Sequence, residues 1–266
     1  MARILIGTSG YSYTEWVGPV YPEGTKAGEY LDRYGTLFPT VELNFSYYRM
    51  PEAEQLLAMH HQSESLLFSI KAHESLTHAI DTATWRTAAA TFRSAVSPLQ
   101  EKGVLGAVLL QFPYSFHYDP DRRRYLDALV RSLGTFPLAV EFRNGQWYNN
   151  RTLDALRERK VSLVSLDMPE IQSSPPMMDV ATSPLAYIRL HGRSKETWWG
   201  SDSAARYDYL YSEKELASIA ERVRGMAVAA QLVLVYFNNH RRGQAVKNAM
   251  ALRKLLALGE VGAHDR

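Results

Sequence analysis

Residues 138–167 read LAVEFRNGQWYNNRTLDALRERKVSLVSLD. The stretch opens on an apolar run, Leu138–Phe142, and passes turn signals at Asn144 and Gly145. A helical pattern follows over Asn150–Lys160, and a second apolar run covers Ser162–Asp167. Strand, helix and strand within about 30 residues make a βαβ unit with parallel strands. Both runs are nearly continuous in Val, Leu and Ala, as strands covered on both faces should be.

The unit recurs along the chain. Further runs lie at Ile4–Gly7, Thr40–Asn44, Leu66–Lys71, Ala107–Phe112, Leu185–Leu190 and Leu232–Phe237, making eight candidate strands. Helical patterns fall between most of them: Ala27–Phe38, Pro51–Gln62, Thr84–Lys102, Asp121–Leu133, Ser212–Arg224 and Gln244–Leu258. Ser212 with Glu215 forms a capping box, and Gly259 is a helix stop. One interval breaks the rhythm. Met168 to Pro176 has three prolines and no helical period, so the sixth helix is expected to be reduced or replaced by a loop. Eight units of about 33 residues predict an α/β fold, a single (β/α)8 TIM-type barrel formed by one domain over 1–266. An open doubly wound sheet fits less well, because no G-x-G-x-x-G follows the first strand.

Composition agrees with a globular enzyme-sized domain: 266 residues, 46% hydrophobic and 22% charged. The absence of cysteine excludes disulfides, a cysteine nucleophile and cysteine-held zinc or iron–sulfur clusters within the chain. The first apolar run is too short for a signal peptide, and no stretch reaches the ~20 apolar residues of a membrane span. A cytoplasmic protein without a membrane partner is expected. A net charge of +2 does not demand nucleic acid.

Alternate strand residues share a face. One phase is polar: Glu42 with Asn44, Ser69 with Lys71, Leu109 with Gln111, Glu141 with Arg143, Ser165 with Asp167, Arg189 with His191, and Tyr236 with Asn238. The other phase is apolar and suits packing against helices; it includes Val41, Phe68, Val108, Val140, Val164, Leu166 and Ile188. The polar phase is assigned to the barrel interior, with its charges at the carboxyl ends of the strands, where barrels of this type hold their active sites. Buried charges must be paired. Glu42, Lys71, Glu141, Arg143, Asp167, Arg189 and His191 are therefore expected to form one ion network at the mouth. Glu141 is expected to pair only with a cation of a neighbouring strand.

At these residues the chain resembles the YecE-like proteins, the domain of unknown function 72 family. The resemblance rests on Gly7-Thr8-Ser9-Gly10-Tyr11 with Trp16, Tyr21 and Pro22, and on Val41-Glu42-Leu43-Asn44 with Tyr47 and Tyr48. It continues through Ile70-Lys71-Ala72, Leu110-Gln111-Phe112-Pro113, Val140-Glu141-Phe142-Arg143 with Trp147, and Asp167-Met168-Pro169. Arg189-Leu190-His191-Gly192-Arg193 and Tyr236-Phe237-Asn238-Asn239 complete it. It runs in order from Gly7 to about Ala249 and implies a TIM-type barrel. It supplies no activity. Two residues depart from the family pattern: Tyr11 stands in place of tryptophan, and Asn144 in place of histidine.

The chemistry follows from residue types. Arg143, Arg189, Arg193 and Lys71 suit recognition of a phosphate or carboxylate. Thr8, Asn44, Gln111, Asn238 and Asn239 add polar contacts at the same strand ends. The loop with Arg241 and Arg242 leads into a helix whose N-terminal amides offer a second place for an anion. Glu42, Glu141 and Asp167 are candidate bases, with Lys71 and His191 as acids or electrostatic stabilisers. A paired-carboxylate glycosidase fits the same residues. No metal motif occurs, but a magnesium bound by carboxylates would leave none, so the cofactor stays open. The expected function is hydrolysis of a small anionic or sugar-like substrate, with isomerisation next. A nucleic-acid-binding or -processing protein and a non-catalytic ligand-binding barrel are the alternatives. The segment 191–211, with Trp198 and Trp199, is long enough for a lid.

Overall fold

The computed structural model describes residues 2–171, 174–196 and 206–259. Eight strands close a parallel barrel in sequence order: β1 (Arg3–Ser9), β2 (Thr40–Leu43), β3 (Leu67–Lys71), β4 (Leu105–Phe112), β5 (Leu138–Phe142), β6 (Ser162–Asp167), β7 (Leu185–Leu190) and β8 (Leu232–Phe237). The ring closes where β1 pairs with β8, Leu5 opposite Leu234. The helices are α1 (Tyr30–Gly35), α2 (Phe45–Tyr48), α3 (Ala53–Gln62), α4 (Trp85–Glu101), α5 (Pro120–Ser132), α6 (Asn150–Glu158), α7 (Glu213–Ala229) and α8 (Gln244–Leu255).

Local chemistry starts these helices. Asp119 caps α5 through the Arg122 amide, with Pro120 at the first helical position. Asn149 caps α6 through Thr152, and Ser212 and Glu215 form the expected box on α7. Gly7 is dictated by close approach: a Cβ there would collide with the Thr40 carbonyl of β2. No helix among the described residues is long and apolar enough to cross a membrane.

Two apolar layers hold the barrel. The outer layer joins strands to helices through Ile6, Val41, Phe68, Val108, Val140, Ile188 and Val235. The inner layer fills the barrel with Leu5, Leu109, Val164, Leu166, Tyr187 and Tyr236. Six of the seven strands given a phase from the sequence thus keep it, and β6 inverts it. Val164 and Leu166 point inward, whereas Ser165 and Asp167 point out.

The inversion follows from the missing helix. Among the described residues, none between β6 and β7 is helical. The outer face of β6 is covered by Arg222 of α7 instead. Its guanidinium meets Asp167 Oδ2 at 2.6 Å, Asp179 Oδ2 at 2.8 Å and the Leu166 carbonyl at 3.1 Å. Ser165 also bonds Asp179. A polar cover requires a polar strand face. Alternation fixes which residues share a face, but not which face is inside.

Candidate functional site

The floor of the mouth is a carboxylate–guanidinium–carboxylate bridge. Arg189, on β7, donates from Nε and Nη2 to Glu42 at 2.9 and 2.7 Å, and from Nη1 to Glu141 Oε2 at 2.6 Å. Glu42 also accepts from Ser9 Oγ at 2.6 Å and from the Tyr187 hydroxyl at 2.7 Å. Both carboxylates are fully buried, and so is all but 3% of the Arg189 side chain. Burial pulls the guanidinium toward deprotonation, but Glu141 and Glu42 outweigh it and push its pKa up. Burial and the adjacent Glu42 push the Tyr187 phenol up, so it stays a donor. With four donors around it, Glu42 has no lone pair left for substrate.

Above the floor, Glu141 turns its second oxygen to Arg143 Nη2 at 2.6 Å. This corrects the expectation that Glu141 pairs only across strands. The two residues share a face, and the long arginine side chain folds back along its own strand. Arg143 keeps 16% of its side chain exposed. Burial pushes the Glu141 carboxyl up, but Arg143, Arg189 and Lys71 together hold it below the usual range, so it stays ionised.

His191 locks Arg143 in place. Its Nε2 lies 3.1 Å from Arg143 Nη2, and its Nδ1 lies 3.0 Å from the Asn238 amide. Arginine only donates, so Nε2 accepts and the proton sits on Nδ1. The atom at 3.0 Å is Asn238 Nδ2, so the amide must turn its oxygen to the ring to accept that proton. Burial, then Arg143, Arg189 and Lys71, push the imidazole pKa well down, so the ring is neutral. His191 is a positioning residue for Arg143.

Lys71, at the end of β3, is held differently. Its ammonium sits 4.1 Å from the centre of the Tyr47 ring, and no carboxylate among the described residues is in ion-pair range of it. The short helix α2, which hydropathy did not reveal, supplies Tyr47; Ser46 Oγ pins it to the Lys71 carbonyl at 2.6 Å. Burial, with Arg189, lowers the Lys71 pKa to about 8 against the pull of Glu141 and Glu42. His78 meets Tyr47 edge-on at 4.8 Å. Burial and Lys71 lower its pKa to about 4. His78, Gln111, Tyr114, Arg143, Met168 and Tyr207 line a cleft of about 240 Å³ over this floor.

The His78 seat has a direct check. By NMR its ring should titrate near pH 4 instead of 6.5. Folding then favours the neutral ring. Its contribution to stability is full above the unfolded pKa and is lost as pH falls from 6.5 toward 4. A midpoint near 6.5 would show that the ring is not desolvated.

A family model described as "Protein of unknown function DUF72" matches residues 5–265. The chain belongs to the DUF72 family. It is similar to the UPF0759 protein YunF of Bacillus subtilis (strain 168), with 26% identity over 279 residues, covering 99% of this chain and 98% of that one. A DUF72 family protein from Thermotoga maritima MSB8 is 35% identical, with a TM-score of 0.89 over 96% of this chain and 99% of the other. Another, from Enterococcus faecalis V583, is 28% identical, with a TM-score of 0.86 over 96% of each chain.

The remaining sequence-predicted residues of this DUF72 barrel divide between the mouth and elsewhere. Asn44 and Gln111 sit at inward strand ends, and Asn44 Oδ1 is buried with no hydrogen-bond partner among the described residues. Thr8 faces outward, bonded to the Tyr34 hydroxyl at 3.0 Å and the Gly10 carbonyl at 2.6 Å; it is removed from the candidate contacts. Asn239 is buried between the Tyr209 carbonyl and Asn248. Asp167 does not join the ring network: it binds Arg193 at 2.8 and 2.6 Å, Arg222 and the Tyr211 hydroxyl on the outer side of β6. Arg193 is therefore tied to Asp167, with Glu215 at 3.3 Å. The start of α8 is not an open anion site either. Glu15 accepts from the Arg242 amide at 3.2 Å, and Asp208 lies 3.8 Å from Arg241. Trp198 and Trp199 lie outside the described residues. Among the described residues, no cluster of three or more His, Asp or Glu is arranged to hold a metal.

Hydropathy gave no signal for Arg206, which lines the cleft from the segment after β7, or for Arg222 on α7. His78 carried a weak signal, its nearness in sequence to the end of the third strand.

Proposed function

We propose that this DUF72 protein is an enzyme that binds a small anionic substrate at the barrel mouth and hydrolyses it. One observation carries the reading. Three cations, Arg189, Arg143 and Lys71, face two carboxylates, Glu42 and Glu141, and Lys71 has neither of them in ion-pair range. A low-dielectric pocket with one surplus positive charge favours an anion. Arg143 offers a planar fork for a carboxylate or phosphate, and Lys71 a point charge beside it.

The same groups support proton transfer. A lysine brought close to neutrality is a competent general base or acid. Glu141 serves as a fixed charge that orients Arg143. The paired-carboxylate glycosidase reading loses its support, because Glu42 and Glu141 clamp one guanidinium and leave no open pair. The surplus of one charge favours a small anion over a nucleic-acid backbone, which needs many cationic contacts.

Sulfate is a suitable probe, because its charge is constant above pH 3. It should raise Tm by mass action. Arg143→Ala should weaken sulfate binding by about 10- to 100-fold, from the ~1.5–3 kcal/mol of a charge-assisted contact. The response should also fall as pH rises through about 8, because Lys71 then loses its charge. Lys71→Met should bind sulfate weakly at every pH. It should also raise Tm without sulfate, since it removes an ammonium whose burial outweighs its attractions. A sulfate response that survives both substitutions, or stays flat from pH 6.5 to 9, counts against the proposal.

A further inference from the structure

Lys71 has a property that anion binding does not require. A lysine that only neutralises an anion needs its proton, yet this one is seated where the proton is held weakly. Its surroundings come from every element around it: Tyr47 of α2 beneath the ammonium, His78 from the loop after β3, Arg143 and Glu141 from β5 and its end, Arg189 from β7, and Glu42 from β2. Both carboxylates are held by arginines, and neither approaches Lys71 closely enough for an ion pair. The Tyr47 ring covers one side of the nitrogen and stabilises its charge less than a carboxylate would. A desolvated lysine next to other cations is the arrangement that frees an amine as a nucleophile.

From the Lys71 amine, which has no carboxylate among the described residues in ion-pair range and stacks on Tyr47 next to the cleft-lining His78, we infer that Lys71 forms a reversible covalent imine with a small substrate that carries both a carbonyl and an anionic group. This rests on the reading of the mouth as an anion site, and adds the substrate class. Arg143 takes the anionic group. The neutral Lys71 nitrogen attacks the carbonyl carbon with its lone pair, and the carbonyl π electrons move to oxygen. The nitrogen loses one proton to that oxygen. A second proton, taken from solvent, lets the oxygen leave as water, and the C=N bond forms with a positive charge on nitrogen. The balance is amine plus carbonyl plus one proton, giving iminium plus water, with no change of oxidation state. Water reverses every step. His78, neutral and in edge contact with Tyr47, is placed to hand protons between solvent and the departing oxygen.

Trapping tests the inference on the full chain. The protein is incubated at pH 7.5 with glyoxylate or pyruvate and sodium cyanoborohydride, and the reduced adducts are mapped by peptide mass spectrometry. Acetaldehyde serves as the uncharged probe. Lys102 and Lys214, both exposed, are internal references. Lys71 should be labelled by glyoxylate at least roughly tenfold faster than either reference, because a much larger fraction of its amine is neutral. The rate should level off above pH 8. Lys71→Arg should lose the label, while Lys102 and Lys214 are labelled as in the parent. Arg143→Ala should slow labelling by glyoxylate more than labelling by acetaldehyde.

The outcomes separate the two readings. If sulfate still stabilises the protein through Arg143 but Lys71 is labelled no faster than Lys102, the imine is overturned and the anion site stands. If Lys71 reacts quickly with acetaldehyde and no faster with glyoxylate, the nucleophile stands and the anion site is overturned. Labelling at the reference lysines alone, with no sulfate response, overturns both.

Discussion

Arg189→Met should destabilise the protein by about 3–5 kcal/mol, the usual cost of removing one partner from a buried ion pair. For a chain of this size that is a fall in Tm on the order of 10 °C. Among the described residues, Arg189 alone bridges Glu42 and Glu141, and each carboxylate has 0% exposure. Without it, Glu42 keeps Ser9 and Tyr187, and Glu141 keeps Arg143, but two negative charges face one another in the barrel. At least one carboxylate must then take up a proton to fold. The mutant should therefore be most stable at mildly acidic pH, which is opposite to a protein whose carboxylates are paired. The triple variant Arg189→Met, Glu42→Gln, Glu141→Gln should recover most of the loss, since the destabilisation comes from unpaired charge. Thermal unfolding across pH 5–8 reads both effects. A single mutant within about 2 °C of the parent would show that the bridge is not a buried charge balance.

Asp167→Ala should be nearly as costly, and for a reason unrelated to ligand. The carboxylate is the shared acceptor for Arg193, Arg222 and the Tyr211 hydroxyl. It ties the loop after β7 and helix α7 to the outer face of β6, where the ring of helices has its gap. Removing it leaves the largely buried guanidinium of Arg222 with Asp179 as its one carboxylate partner among the described residues. A loss of about 3 kcal/mol is anticipated from the buried pair. The sulfate response should survive at temperatures where the variant is folded, because the carboxylate's partners Arg193, Arg222 and Tyr211 lie on the outer side of β6. A stable Asp167→Ala protein that no longer responds to sulfate would return this residue to the mouth. Paired with Arg143→Ala, which should lose the sulfate response at temperatures where it is folded, the two variants separate support from binding.

The barrel was legible because parallel strands covered on both faces are apolar runs of fixed length, and the helix between each pair has its own period. The polar phase at Glu42, Lys71, Glu141, Arg143, Arg189 and His191 was legible because interior charges are rare and stand out by parity. The same argument misassigned Ser165 and Asp167. Parity cannot tell inside from outside, and the missing sixth helix exchanged the environments of the two faces. Thr8 shows the same limit at a single residue: it lies one position from Ser9, whose hydroxyl does face Glu42. Arg206, Arg222 and Tyr47 reach their places from the segment after β7, a distant helix and a four-residue helix, none of which carries a strand's period. The clamp on Glu42 was equally hidden, because its donors come from two other strands, β1 and β7, whose registers appear only once the ring is closed.

A crystal structure of the protein grown with selenate, with selenium located by its anomalous scattering, tests the anion site most directly. Selenium should lie over the Arg143 guanidinium, with selenate oxygens in hydrogen-bond reach of Arg143 and Lys71 and with Glu141 still holding Arg143 from below. A mouth empty of selenium, at selenate concentrations that raise Tm, would contradict the assignment of this ring as a binding site and leave it as a charge-balanced plug.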